Sequence, residues 1–192
     1  MSPFKFDPAK TAKLDDPSRF DDLRPDVMWD ALVLDDPRAI VDVGAGTGLF
    51  SERFAGLAPH ATVYAVDSSA AMLEWLRAHR SALVESGRIV PVLSTETAVP
   101  LPDSIADAVI MINLHHELED PLASYREACR ILAPSGRLLV ADWAPRATPK
   151  GPPLAVRVTP GRLEELLTAA GFRDVREHEG LPNHTLVTAT RG

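Results

Sequence analysis

Three glycines at alternate positions, Gly44, Gly46 and Gly48, follow the run Val41-Asp42-Val43, and a second apolar run ends in Asp67-Ser68-Ser69. Glycines so spaced remove Cβ atoms where a backbone must take positive φ or pass close to a ligand. A carboxylate about 20 residues further on stands where both hydroxyls of a ribose can be held. Such charge-assisted bonds are roughly twice as strong as neutral ones. A third group, Asn113-Leu114-His115-His116, brings imidazoles that titrate near neutrality and can take a proton. Taken together, these residues point to a nucleoside-type ligand.

The spacing narrows the ligand. A dinucleotide loop, G-x-G-x-x-G, requires a third glycine where Leu49 stands, and a phosphate-cradling P-loop requires Gly-Lys-Ser/Thr, which does not follow. D-x-G-x-G-x-G remains, as a ligand loop or as a plain tight connection. Asp67 likewise has two readings, ribose acceptor or N-cap of the helix that starts near Ala70. Ser68 or Ser69 can serve as that cap and leave Asp67 to the ligand.

The elements that must position these residues alternate strand and helix, the pattern of a parallel sheet covered on both faces. Ile40 to Val43 is a β-branched strand, and Leu49, Phe50, Phe54 and Leu57 recur at helical spacing after the loop. Further strands are expected over 61–66, 88–93, 108–112 and 137–143, with helices over 122–132 and 160–170. The turn Ala133-Pro134-Ser135-Gly136 separates the first of these helices from the strand that follows it. Two last strands, near 175–178 and 185–190, are joined too tightly for a crossover helix and should be antiparallel. In such a sheet the ligand crevice lies beyond the strands' carboxyl ends. Gly44 to Gly48, Asp67, Thr95 with Glu96, and Asn113 to His116 all fall there.

Of the 192 residues, 45% are hydrophobic, enough for one substantial core, and no apolar stretch approaches the roughly 20 residues that a membrane helix needs. The N-terminus has no apolar stretch of secretory type, so the expectation is a cytoplasmic protein. The net charge of −7 and the scattered basic residues argue against nucleic acid as a partner. Cys129 stands alone and can form neither an internal disulfide nor a thiolate metal site. Residues 1–36, with Pro3, Pro8, Pro17 and Pro25, read as an irregular arm ending in a short helix over 25–34. The arm either covers the crevice or packs on a helix face.

The segments VDVGAGTG, VYAVDSSAAML, VPLPDSIADAV, LHHELEDP and REACRILAPSGRLLVADW together resemble the class I S-adenosylmethionine-dependent methyltransferases. Among these they are closest to the small-molecule type of ubiquinone and menaquinone biosynthesis. The likeness runs from about Ile40 to Arg191. It implies a Rossmann-like, doubly wound, mostly parallel seven-stranded α/β sheet with a C-terminal antiparallel hairpin over 37–192. It also implies S-adenosylmethionine as cofactor. Gly44, Ala45, Gly46 and Gly48 would lie against its amino-acid end, Asp42 would support the loop or the amino group, and Asp67 with Ser68 would hold the ribose. Met72 is either core or a neighbour of adenine. Thr95 stands where the family often has an acidic residue for the adenine amino group, with Glu96 directly after it and Asn113 across the crevice.

Methyl transfer is an in-line displacement that positioning alone can accelerate by roughly 7–11 kcal/mol of effective molarity. A base is needed only where the acceptor loses a poorly acidic proton. His115 is the candidate base or orienting group, against a reading in which one imidazole caps the helix near Asp120 and the other packs on the loop. Arsenite transfer would need several thiolates. Metal-assisted transfer would need more acidic residues than Asp142, Glu117 and Glu119, so no metal is expected. The acceptor, small and partly apolar, would lie among the arm, the His115 region and the loop 143–158. Phe4, Phe6, Phe20, Trp29 and Trp143 would either line its pocket or anchor the arm. The partners expected are therefore one small molecule and, at most, a second copy of the chain. The competing reading is a SAM- or nucleoside-binding module without transfer activity.

Overall fold

The computed structural model describes residues 11–192. Two helical turns, α1 (Thr11–Leu14) and α2 (Arg19–Asp22), precede α3 (Pro25–Leu32). Then follow β1 (Ala39–Val43), α4 (Leu49–Leu57), β2 (Thr62–Asp67), α5 (Ala70–His79), α6 (Ser81–Glu85), β3 (Ile89–Leu93) and β4 (Ala106–Ile112). The chain continues through α7 (Pro121–Ile131), β5 (Leu132–Trp143), α8 (Pro160–Ala169), β6 (Phe172–His178) and β7 (His184–Arg191). The seven strands form one sheet in the order β3-β2-β1-β4-β5-β7-β6. β1 to β5 are parallel, and β7 runs antiparallel to both β5 and β6. This is the Rossmann-like sheet with an antiparallel ending that the sequence led us to expect.

The two-residue period of the strands divides the core between the two faces. Ile40, Ile110, Leu139 and Ala141 pack with Met28, Leu32, Phe50, Phe54 and Leu76 of α3, α4 and α5. Their neighbours Val41, Val109, Leu138 and Val140 pack with Tyr125, Ala128, Leu163 and Leu167 of α7 and α8. β4, covered on both faces, accordingly reads as a continuous apolar run from Ala108 to Ile112.

Local boundaries differ from expectation where pairing outranks composition. Leu132 ends no helix but pairs with Ala106, and the register then jumps so that Ala108 meets Arg137. The expected turn at Ala133 to Gly136 thus bulges within β5, with Ser135 at φ 64°. β6 starts at Phe172 because a second bulge, with Asp174 at φ 51°, keeps it paired with β7. The arm is helical twice over, and α5 and α6 break at Arg80, whose guanidinium turns inward to the Thr47 carbonyl at 2.8 Å. Phe20 meets the Phe50 ring edge-on at 5.4 Å and Trp29 lies 6.1 Å from Phe54, so both anchor the arm instead of lining a pocket. Phe4 and Phe6 lie outside the described residues.

Gly48 is the left-handed N-cap of α4, at φ 79°. A Cβ there would come within 2.5 Å of Leu76 Cδ1 and 2.9 Å of its Cγ, and Leu76 is fully buried. Gly48 therefore serves the packing of α4 on α5, not a ligand. Gly48→Ala should cost about 2–4 kcal/mol from overpacking and left-handed strain. Denaturant titration should show a lowered midpoint at unchanged slope.

Candidate active site

The bend after β1 is fastened to the next strand. Gly44 N and Ala45 N both donate to the Val66 carbonyl, at 2.9 and 3.0 Å. Asp67, one residue on, accepts from Gly46 N through Oδ2 at 2.7 Å and from Ser69 N through Oδ1 at 2.8 Å. Ser69 takes the N-cap of α5, its hydroxyl accepting from Met72 N at 3.4 Å. Asp67 is thereby held at the bend, facing the crevice.

That crevice, of about 490 Å³, falls in the size range of small-molecule sites and crosses the carboxyl ends of the strands. At the β2 and β3 end it is lined by Asp67, Ser68, Met72 and Thr95 with Glu96; Asp42, Gly44, Ala45, Gly46 and Asn113 line its middle. His116, Trp143 and His184 line the far end. Met72 is buried and at the same time part of the wall, so both readings of it hold. Glu96 is engaged elsewhere, its Oε1 accepting from Glu119 N and Asp120 N at 2.7 and 2.8 Å. Thr95 Oγ1 accepts from Ala98 N at 3.1 Å.

His115 departs from expectation. It is absent from the crevice wall: its Nδ1 meets the Tyr125 hydroxyl at 2.7 Å, and the two rings lie 5.9 Å apart on the α7 side. His116 faces the crevice in its place. Its Nδ1 lies 2.9 and 3.2 Å from the two carboxylate oxygens of Asp142, a residue only 2% exposed. Neither histidine caps α7; Asp120 does, accepting from Ala123 N at 3.0 Å. A short turn, His115–Glu117, separates the two side chains, and a partner 26 residues away chooses between them.

Asp42 is 2% exposed and accepts from the Ser51 hydroxyl at 2.6 Å. Burial, with the Asp67 charge nearby, pushes its carboxyl up to about 7, against the pull of Ser51 and Arg19. Arg19 of the arm is itself lowered to about 10 by burial, and its guanidinium lies 5.0 Å over the Phe50 ring. Arg80, with a side chain 5% exposed, ties the arm down, Nη2 donating to Asp15 at 2.6 Å. Leu14 of α1 lies over Gly46, 3.4 Å from where a Cβ would stand.

Of the far wall, the sequence offered Trp143 and its loop but not His184. Trp143 and His184 are register partners across β5 and β7, with ring centroids 4.3 Å apart. Both His184 ring nitrogens are buried without a hydrogen-bond partner, and burial pushes the ring down to about 4. Arg157 lies 5.5 Å over the indole and braces the loop by donating to Ala144, Arg146 and Pro152 carbonyls. Lys150 of that loop pairs with Asp22 of the arm at 2.7 Å, and Asn183 donates to the same carboxylate at 2.8 Å.

The middle of the crevice fits the donor that the sequence motifs imply. Asn113, held at φ 54°, carries a buried Oδ1 with no hydrogen-bond partner, and the buried Asp42 forms no ion pair among the described residues. The Asp42 carboxylate and the Asn113 carbonyl are both acceptors suited to an ammonium. If such a cation binds there, affinity for S-adenosylhomocysteine should rise as pH increases through about 7, where Asp42 ionises. Calorimetry across that range should show the rise with proton release, and Asp42→Asn should abolish both.

Residues 41–140 match the family described as "Methyltransferase domain". A SAM-dependent methyltransferase structure from Aquifex aeolicus superposes with a TM-score of 0.90 at 30% identity, covering 98% of this chain and 100% of that one. A malonyl-[acyl-carrier protein] O-methyltransferase of Methylococcus capsulatus is 30% identical over 73% of this chain and 54% of its own. A ubiquinone/menaquinone biosynthesis C-methyltransferase of Caulobacter vibrioides is 33% identical over 55% of this chain and 44% of its own. The chain spans about half the length of these curated relatives. A glycine bend welded to its neighbouring strand, the Asp67 carboxylate on that bend, the sheet order and these likenesses agree: the chain belongs to the S-adenosylmethionine-dependent methyltransferase family.

Proposed function

We propose that this protein transfers a methyl group from S-adenosylmethionine to a small, partly apolar acceptor. The observation that carries the reading is one continuous crevice shared by the loop residues and by an aromatic wall at its far end. When bound, the donor supplies a methyl group activated by a sulfonium leaving group. Gly44, Ala45 and Gly46 offer backbone without side-chain bulk, Asp42 and Asn113 accept from the amino group, and Asp67 with Ser68 accepts from the ribose hydroxyls. Met72 and Thr95 flank the adenine.

Phe50, Leu23 and Trp143 give the acceptor an apolar seat, and the arm and the Lys150 loop exclude water above it. Residues 11–36 thus act as the cover, with 37–192 as the transferase domain. The relatives' names give both oxygen and carbon as methylated atoms, so relationship alone leaves the acceptor atom open. The reading carries with it a cytoplasmic setting, a monomer or homodimer, and no nucleic-acid partner. The net charge of −7 supports the last of these. Among the described residues no helix is long and apolar enough to cross a membrane.

Labelled S-adenosylmethionine with panels of phenols, quinols, carboxylic acids, amines and thiols tests the reading. Release of S-adenosylhomocysteine should depend on an added acceptor; binding without such release would leave a non-catalytic module. Asp67→Ala should weaken donor binding at least tenfold, as loss of a charge-assisted pair of bonds of about 1.5–3 kcal/mol each implies. Circular dichroism would confirm that the fold is kept.

A further inference from the structure

His116 and Asp142 form a buried pair that donor binding does not use. Among the described residues two donors reach Asp142: His116 Nδ1, at 2.9 and 3.2 Å from its two oxygens, and its own neighbour's amide, Trp143 N, at 2.7 Å. A carboxylate accepting at Nδ1 fixes the tautomer with the proton there, and the lone pair of the neutral ring then sits on Nε2. The His116 side chain is 9% exposed and belongs to the crevice wall, on the same side as Trp143 and His184. Nε2 makes no hydrogen bond among the described residues and lies 3.9 Å from Glu117 Oε1.

Resting on the methyl-transfer reading, we propose that His116 takes the proton of a hydroxyl on the acceptor while Asp142 positions it, which assigns the acceptor to planar hydroxyl compounds of phenol or enol type. A carboxylate or thioether already presents an unprotonated lone pair and would need no buried base of this kind. A planar ring suits this end of the crevice, whose wall the Trp143 and His184 rings share beside the base. In the step, an acceptor oxygen lone pair forms the new O–CH₃ bond. The S–C bond of the sulfonium breaks with its electron pair left on sulfur, and the hydroxyl proton moves to His116 Nε2. The resulting imidazolium faces the Asp142 carboxylate, and the proton leaves to water after product release.

The charges around the ring suit the role. Burial alone would lower His116, but the Asp142 bond and charge, helped by Glu117 and opposed by Arg157, leave it above the usual 6.5. His115, by contrast, is lowered by burial, with the Asp142 charge opposing and the His116 and Arg162 charges adding. A base works best with a pKa near the working pH, and such catalysis is worth roughly 10²- to 10⁴-fold.

The test uses the whole chain saturated with S-adenosylhomocysteine and 3-nitrophenol as the probe, because it is a weaker acid than its 4-isomer and its anion absorbs at longer wavelength than its neutral form. At about pH 7.5, where free 3-nitrophenol is mostly neutral and a neutral imidazole can take its proton, binding to the wild type should generate the phenolate band. His116→Gln and His116→Ala should lose the band while calorimetry shows unchanged S-adenosylhomocysteine affinity. In Asp142→Asn the band should reach half height at a higher pH. With a methylated phenol in hand, kcat should rise with pH through the His116 ionisation and fall roughly 10²- to 10⁴-fold in His116→Ala, with KM little changed. No band in the wild type, a band that survives in both His116 variants, or an unaltered pH response in Asp142→Asn overturns the proposal. Failure to bind S-adenosylhomocysteine at all would instead overturn the methyl-transfer reading beneath it.

Discussion

One backbone carbonyl organises the donor end of the crevice. Val66 O accepts from two successive amides of the glycine bend, so groups that would otherwise be orphaned in a buried turn are satisfied by the strand next door. The bend therefore inherits its position from the β1–β2 ladder, in which Val43 is registered with Val66. Asp67 follows within one residue, and its bond to Gly46 N closes the turn on a side chain. α4 starts where the bend releases the chain, at Gly48, and Leu114 fills the space left by the missing Cβ of Gly44.

Charge explains why the arm returns to this point. Asp42, Asp67 and Asp142 bring three carboxylates to one end of the sheet, and the Asp67 charge adds to the cost of ionising the buried Asp42. Arg19 and Arg80 enter from outside the loop and meet this field, one beside Asp42 and one between Asp15 and the Thr47 carbonyl. Buried guanidiniums in such settings are kept by their partners, because removing one partner strands the other. The cover over the bend is thus held electrostatically as well as by Leu14 and Phe20.

Much of this was legible in the chain itself. The apolar runs of β1, β4 and β5, the glycine spacing and the acid at the end of β2 are local patterns with local physical causes. They located the sheet, the bend and Asp67. What escaped depends on partners distant in sequence. Nothing near His115 or His116 distinguishes two adjacent imidazoles; Tyr125 and Asp142 do. Gly48 has the spacing of a ligand glycine, yet Leu76 of α5 decides its role. The bulges at Ser135 and Asp174 come from pairing with Ala106 and with β7, and composition there suggests only turns. His184, far down the chain, showed no motif because its importance arises from lying opposite Trp143.

That last pairing follows from the reversed direction of β7. An antiparallel strand set among parallel ones places its own beginning at the end where its neighbours finish, so His184 stands level with Trp143. β7 also lies between β5 and β6, so β6 has no seat in the sheet until β7 is in place. On the ribosome, the bend and Asp67 can find their strand partners once β4 has emerged. The aromatic end of the crevice must wait for residues 184–191, so a nascent chain can build its donor seat well before it owns a second wall.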